Sequence, residues 1–289
     1  MRLSTILLIL LLSCNSLFAQ KFEANDKSLL WRISKKDLKK PSYLFGTIHI
    51  ICKQDYLWTP AMKKSFKETE QVCFELDLDD PNMMMQVAMG VMSTDGKRLK
   101  DYFNEADYQK LSKYVSDSLK MDISMFEQMK PVALETLFST NTTSICDSPQ
   151  SYENNIMADA QSQNKEIAGL ETVSEQLDLF DNLPIDSVIK DIMSVINGKS
   201  NDEGEYQKLV AAYKKQDLPA LYKFIKESGE LDKDLGGFLD VRNEKWVPKM
   251  VTMMDSHSMF FAVGAGHLYG ENGVIALLRK AGYTVTPLK

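Results

Sequence analysis

Histidine is scarce in this chain of 289 residues, with only three copies. Basic residues are outnumbered, because 34 lysines and arginines face 40 aspartates and glutamates; the net charge of −6 argues against nucleic acid binding, which needs a basic surface. Beyond the amino-terminal segment, no run approaches the roughly 18 apolar residues of a spanning helix, so no transmembrane span is expected in the mature chain. No Gly/Ser/Pro-rich linker divides the sequence, which favours a single domain.

The amino terminus has the pattern of an export signal. Arg2 supplies a positive charge, residues 6–12 are apolar, and the small residue Ala19 precedes the expected cleavage point. We therefore expect a signal peptide at residues 1–19 and an α/β domain at residues 20–289, exported to the periplasm or outside the cell. The alternative is a membrane-tethered lipoprotein, because the segment ending at Cys14 (LLSC) resembles a lipobox in which that cysteine would carry a lipid anchor.

Cysteine is also scarce. If Cys14 leaves with the signal peptide, Cys52, Cys73 and Cys146 remain, and an odd number allows at most one internal disulfide. Cys73 lies inside an apparent strand and is expected to be a buried thiol. Whether Cys52 and Cys146 form a bridge is left open by the sequence.

Two of the three histidines share one sequence context, near opposite ends of the chain. Residues 43–49 (YLFGTIH) and 259–267 (MFFAVGAGH) each run from an apolar strand into Gly-x-x-His. The carboxyl ends of such strands open onto crevices where ligands bind, and a glycine lets the chain turn sharply there. We expect His49 and His267 at the rim of one sheet, where imidazole can bind a metal or transfer protons. The alternative is two strand-to-loop turns whose histidines only satisfy backbone groups.

Two further predicted strands carry glutamate at their ends. Glu75 lies in residues 71–76 (QVCFEL), and Glu171 ends residues 166–171 (EIAGLE). The sequence thus predicts an α/β fold with a central mixed β-sheet flanked by helices, in two pseudo-symmetric halves that each have strands ending in Gly-x-x-His and glutamate, with helical insertions between them. A methionine-rich helix at residues 80–92 is expected to form adaptable core or the wall of a groove.

These strand ends are chemically suited to a metal ion. Two imidazoles and one or two carboxylates could hold manganese, cobalt or zinc, with open positions for water and substrate. A glutamate that is not a ligand could act as general base. Arg242, on a predicted helix before the second histidine strand, is interpreted either as a clamp for an oxyanion or carboxylate, or as a surface ion-pair residue.

The chain also resembles a known family. Residues 44–49, Trp58, Pro60 and residues 73–77 are similar to the amino-terminal signature of the TraB/PrgY/GumN family. The remainder of the resemblance is carried, in order along the chain, by residues 169–172, Gln176, residues 242–243, 263–268, 273–274 and 282–283. It extends over nearly all of the mature chain, and the paired Gly-x-x-His motifs are its most specific part.

The resemblance implies a metal-dependent, peptidase-like protein, because the animal members of the family, the Tiki proteins, are described as membrane-tethered proteases that prefer manganese or cobalt. Carried over by position, the metal ligands are His49, His267 and Glu75. Arg242 matches the arginine of the family and Glu171 a recurrent glutamate, so Glu75, Arg242 and Glu171 are the candidate catalytic residues. No membrane anchor is expected after the domain, unlike in the Tiki proteins, so the resemblance does not imply a membrane-bound substrate.

Three functions remain open on the sequence. The first is an exported metallohydrolase that acts on a peptide or small-molecule substrate. The second is a non-catalytic binding protein that sequesters a peptide or a cofactor such as haem in the same crevice. The third is a purely structural envelope protein. Only the first predicts that substituting either motif histidine abolishes turnover while the fold is kept.

Overall fold

A computed structural model describes residues 27–140, 146–198, 202–227 and 236–289. The signal peptide predicted at residues 1–19 and the lipidation site predicted at Cys14 lie outside the described residues. The strands are β1 Leu30–Ser34, β2 Ser42–Thr47, β3 Ile51–Cys52, β4 Gln71–Leu76, β5 Pro149–Gln150, β6 Glu166–Glu171, β7 Met259–Gly264 and β8 Thr284–Leu288. The helices are α1 Pro60–Glu68, α2 Met83–Gly90, α3 Glu105–Tyr114, α4 Pro131–Thr140, α5 Tyr152–Ser162, α6 Val173–Asp181, α7 Ile185–Ile196, α8 Asp202–Lys214, α9 Leu218–Glu227, α10 Val241–Ser256 and α11 Val274–Lys280.

The predicted mixed sheet is confirmed. Six strands pair in the order β6-β4-β7-β2-β1-β8, and β3 and β5 form a separate two-stranded sheet. β6, β4, β7 and β2 are parallel to one another, whereas β1 runs antiparallel to both β2 and β8. The four parallel strands place their carboxyl ends along one edge, which is where ligands bind in open α/β sheets.

The two strands that precede the motif histidines lie in the centre of the core. Every residue of β2 is buried, and so is β7 up to its last glycine, which explains their continuous apolar sequences. Phe260 of β7 packs against the rings of Phe45, Trp58 and Phe66. On α10, the buried residues Trp246, Met250 and Met254 belong to the same core.

The helical insertions pack around a second, smaller core. Its buried residues come mainly from α3, α4 and α7 and include Leu111, Leu134 and Ile192. Ile123–Phe126 forms a 3-10 turn, and α4 begins only at Pro131, because proline has no N–H to continue a preceding helix. A π-helical turn, Gly236–Asp240, likewise precedes α10.

The methionine-rich helix α2 is not part of the core, so that part of the prediction is wrong. Met84, Met85 and Met89 are 72%, 58% and 70% exposed. The alternative, a groove wall, fits Met83 and Gln86, which line a cavity of about 330 Å³ beside Glu171. The helix is short, packs mainly against α6, and has no buried residue.

The structure joins Cys52 and Cys146 in a disulfide. Cys73 is a free thiol in β4, buried as predicted, and burial raises its pKa. A buried thiol of raised pKa is unreactive, since the thiolate is the nucleophile. No helix within the described ranges is both long and apolar enough to cross a membrane.

Gly169 allows β6 to lie close to the end of β4. A Cβ at this position would stand 2.4 Å from the backbone nitrogen of Asp77 and 2.8 Å from the carbonyl carbon of Leu76. Gly169→Ala should therefore push the two strands apart and lower the unfolding free energy by about 1–3 kcal/mol, measured by urea denaturation. In Gly90→Ala, the control, the added methyl meets only the flexible side chain of Leu177, so a loss as large as that of Gly169→Ala would contradict the explanation.

Candidate functional site

Four adjacent parallel strands bring the predicted site residues to one edge of the sheet. Across the order β6-β4-β7-β2, these strands carry or lead to Glu171, Glu75, His267 and His49 respectively. The first three are buried or nearly so, whereas the His49 side chain is 75% exposed. The sequence therefore identified residues that the fold does bring to one edge, but the structure divides them into a buried cluster and an exposed histidine.

The centre of the buried cluster is the guanidinium of Arg242. Its Nε and NH2 groups donate to the two carboxylate oxygens of Glu171, at 3.1 and 2.5 Å. NH2 also donates to Glu75 Oε2 at 2.5 Å, and NH1 to His267 Nε2 at 3.1 Å and the carbonyl of Phe238 at 3.5 Å. All five N–H groups thus have acceptors within the protein. A direct clamp on a substrate would require one of these bonds to be exchanged, and the catalytic role of Arg242 stays a prediction.

The remaining contacts of Glu171 and Glu75 fix both carboxylates. Glu171 accepts further hydrogen bonds from Trp246 Nε1 at 3.1 Å and from Gln176 Nε2 at 3.0 Å. Glu75 Oε1 accepts the backbone N–H of Gly264 at 2.8 Å. A buried charge is tolerated only when it is paired and hydrogen-bonded in this way.

The tautomer of His267 follows from its neighbours. Asn243 donates through Nδ2 to the carbonyls of His267 and Asn272, so its Oδ1, 2.7 Å from His267 Nδ1, is an acceptor. Nδ1 therefore carries the proton, and Nε2 accepts from Arg242. The indole of Trp246 packs against the ring, with centroids 4.3 Å apart.

The pKa values of His267 and Glu75 are both lowered, for different reasons. Burial lowers the pKa of His267 to about 3, so this histidine is neutral at pH 7. Burial alone would raise the pKa of Glu75, but the charges of the neighbouring histidines and of Arg242 outweigh it and bring the pKa to about 2. Because His267 is neutral near pH 7, the guanidinium is the buried cation that keeps Glu75 ionised there.

The glycines of the two motifs do not make the sharp turns predicted for them. Gly46 lies within β2, and neither Gly46 nor Gly264 is among the residues with positive φ. Their small size instead permits close packing of one motif on the other. A Cβ at Gly46 would meet Ala265 at 3.1 Å and Leu268 at 3.0 Å, and one at Gly264 would meet Glu75 Oε1 at 3.2 Å.

His49 is held at the surface by a carboxylate that sequence reasoning missed. Its Nδ1 lies 3.2 Å from Glu153 Oε1, which also accepts from Thr47 Oγ1 at 2.8 Å. Ser151, the N-cap residue of α5, donates to the other carboxylate oxygen of Glu153 at 3.2 Å. The imidazole Nε2 is therefore the nitrogen left to meet a substrate.

Replacing Glu153 with glutamine is expected to lower the pKa of His49. The hydrogen bond that Nδ1 donates to Glu153, together with the charge of that carboxylate, raises this pKa from 6.5 to about 9. A raised pKa means that the pair stabilises the fold fully below about pH 6.5 and loses that effect as the pH rises through the pKa of the folded state. Water reaches the exposed ring and screens the pair, so the prediction concerns direction. An NMR titration of the three histidines measures it, and an unchanged His49 midpoint in Glu153→Gln would contradict it.

The predicted metal ligands do not fit an ion in this arrangement. Nε2 of His267 and Oε2 of Glu75 both face the guanidinium of Arg242, while Nδ1 of His49 faces Glu153. In the part of the chain that the structure describes, no three His, Cys, Asp or Glu side chains are arranged to hold a metal. Arg242 already supplies the positive charge that these groups surround. The ligand roles of His49, His267 and Glu75 stay a prediction.

Three residues with clear roles at this edge of the sheet carried no predicted role. Asn243 and Trp246 lie one and four residues after Arg242 on α10, and both are buried polar donors to the cluster. Glu153 is separated from its partner by 104 positions. The only available signal was the place of Asn243 beside Arg242 in the family resemblance.

Comparison with known proteins supports the resemblance. A family model described as the TraB/PrgY/gumN family matches residues 29–287. The chain is 25% identical to Metalloprotease TIKI2 of Xenopus tropicalis, in a match that covers 92% of this chain and 60% of that protein. It is 24% identical to the Metalloprotease TIKI homolog of Amphimedon queenslandica, in a match that covers 98% of this chain and 66% of that protein. Metalloprotease TIKI1 of Homo sapiens is 25% identical, in a match that covers 92% of this chain and 62% of that protein. The chain thus spans about three fifths to two thirds of the length of these relatives, and no solved structure matches it.

Proposed function

Because the chain belongs to the TraB/PrgY/gumN family, we propose that it is an exported hydrolase of the peptidase class that acts at the edge of the sheet where His49 lies. The names of its relatives support a protease activity. The observation that carries the proposal is an exposed imidazole, oriented by Glu153, next to a buried and ionised Glu75. A carboxylate–histidine pair at a ligand-binding edge is suited to proton transfer.

His49 is the proton-transfer group in this proposal. Because Nδ1 is hydrogen-bonded to Glu153, Nε2 can give a proton to the leaving amine of a peptide. The raised pKa of His49 keeps that proton available at neutral pH. Glu153 acts as a positioning residue. Glu75, Glu171 and Arg242 form a fixed set of charges behind the histidine, which requires no reorganisation during a reaction.

The names of the relatives also imply a metal ion, and manganese, cobalt or zinc would polarise a carbonyl and activate water when bound. The contacts of His267, Glu75 and Glu171 with Arg242 do not fit such an ion. The roles above are therefore assigned to the side chains of the chain itself. Export is supported by the apolar segment that starts the sequence.

The test is cleavage of a quenched fluorescent peptide library by the purified protein. We expect His49→Ala to lower turnover by about 10²–10⁴-fold while the fold, followed by circular dichroism, is unchanged. His257→Ala is the matched control, because this exposed histidine lies in the loop after α10, away from the cluster, and it should retain full activity. Saturable peptide or haem binding without product would support sequestration instead and overturn the hydrolase proposal.

A further inference from the structure

Two short strands lie next to the residues of the exposed pair. β3 (Ile51–Cys52) begins two residues after His49, and β5 (Pro149–Gln150) ends three residues before Glu153. They pair antiparallel, with Ile51 opposite Gln150 and Cys52 opposite Pro149. A backbone bond from Lys53 to Ser148, 3.0 Å long, extends the ladder.

The Cys52–Cys146 disulfide ties together these same two segments. The Cα atoms of the two cysteines are 5.9 Å apart, and 94 positions separate them in sequence. Cys52 is buried, and its backbone N–H donates to the hydroxyl of Tyr206 at 3.1 Å. The disulfide and the β3–β5 ladder, called the clamp below, thus hold the segment after β2 against the segment before α5.

The position of His49 depends on that connection. His49 lies two residues beyond the end of β2, and its ring is mostly exposed, so core packing does not fix it. Its side-chain contact is Glu153, which arrives from α5, 104 residues away in sequence. A two-stranded ladder with two residue pairs is marginal by itself in water, and a covalent link removes much of its freedom to open.

We propose that the Cys52–Cys146 disulfide positions His49 against Glu153, so that the site is assembled only after the two cysteines are oxidised. In that step each thiol loses a proton, two electrons pass to a disulfide-containing oxidant, and the oxidant leaves as two thiols. Disulfides persist in oxidising compartments, so the site would be incomplete in a reducing cytosol and complete after export. This consequence for activity rests on the proposed hydrolase function; the positioning of the ring does not.

The first test measures the mobility of the three imidazoles by ¹³C relaxation at their Cε1–H groups. In the oxidised protein we expect His49 to be nearly as ordered as the buried His267. Reduction with dithiothreitol, or the Cys52→Ala/Cys146→Ala variant, should lower the order of His49 to that of the exposed His257 and leave His267 unchanged. If His49 keeps its order in the folded protein without the disulfide, the proposal is overturned.

A control separates positioning from general loss of stability. Val285→Ala removes buried methyl groups from β8, at the opposite end of the sheet from the Glu171 strand and outside the clamp. It should destabilise the protein without moving His49. Equal loss of His49 order in Val285→Ala and in the disulfide-free variant would overturn the proposal.

A second measurement does not require the disulfide-free variant to fold. If the disulfide stabilises the His49–Glu153 contact, the contact must stabilise the disulfide by the same factor. Glu153→Gln replaces a charge-assisted hydrogen bond with a weaker neutral one, so it should make the disulfide about fivefold easier to reduce in a dithiothreitol redox buffer. Glu244→Gln, an exposed carboxylate on α10, is the control. An unchanged reduction equilibrium in Glu153→Gln would contradict the coupling.

Peptide cleavage distinguishes this inference from the proposed function. If the oxidised protein cleaves peptides and the reduced, folded protein cleaves them equally well, the hydrolase proposal stands and the positioning role fails. If neither form cleaves any peptide but His49 loses order on reduction, the positioning role stands and the hydrolase proposal fails.

Discussion

Replacing Arg242 with methionine should lower the unfolding free energy by about 3–5 kcal/mol. The long apolar side chain fills much of the same space but leaves Glu75 and Glu171 buried without their cation. An uncompensated buried charge costs far more than the original ion pair contributed. Urea denaturation followed by tryptophan fluorescence measures the loss. Lys245→Met is the matched control on an exposed position of the same helix, and we expect a change within about 0.5 kcal/mol there.

A triple variant tests the stated cause of that loss. Adding Glu75→Gln and Glu171→Gln to Arg242→Met removes both unpaired charges, and it should recover a large part of the lost stability. If the triple variant is less stable than Arg242→Met alone, the charges are not the origin of the effect. Because the three residues are in direct contact, their effects should not add.

Trp246→Ala should be comparably severe, with an expected loss of about 3–5 kcal/mol. The indole is almost fully buried, packs on His267, and lies 4.6 Å from the Arg242 guanidinium. Truncation leaves a cavity beneath the site and removes the Nε1 donor to Glu171. Differential scanning calorimetry and urea denaturation both report this loss.

The phenylalanine substitution at the same position separates volume from hydrogen bonding. Trp246→Phe retains an aromatic ring but no N–H, so it should cost less than Trp246→Ala and still leave Glu171 with one partner fewer. Equal losses in the two variants would show that the indole N–H, and not the filled volume, dominates.

The parallel part of the sheet could be predicted from the sequence because its strands are buried on both faces and read as continuous apolar runs. β2, β4, β6 and β7 were all predicted close to their observed bounds. The strand ends then identified His49, Glu75, Glu171 and His267 as neighbours. β1 was not predicted, since its five residues carry no motif and its exposed Arg32 interrupts the apolar run.

The organisation of the site could not be predicted, because it depends on contacts between residues far apart in sequence. Arg242 was considered as a clamp or a surface residue, whereas it is the buried hub of the cluster. Glu153 stands in an ordinary helix start, and only the fold shows that it meets His49. The metal site was inferred from residue types at strand ends and from the family resemblance, and neither reveals that a guanidinium lies among these side chains.

The edge strand β8 has a consequence for how the protein folds. Its ladder with β1 joins Leu30 to Leu288 and Ser34 to Thr284, so the two strands come from opposite ends of the described chain. Pairings this distant in sequence form slowly, because a large loop must close before they contribute stability. During synthesis β1 emerges early and keeps an open edge until β8 has also left the ribosome, and an open edge invites pairing with other chains. The sheet can thus be completed only after the whole segment between these two strands has been made.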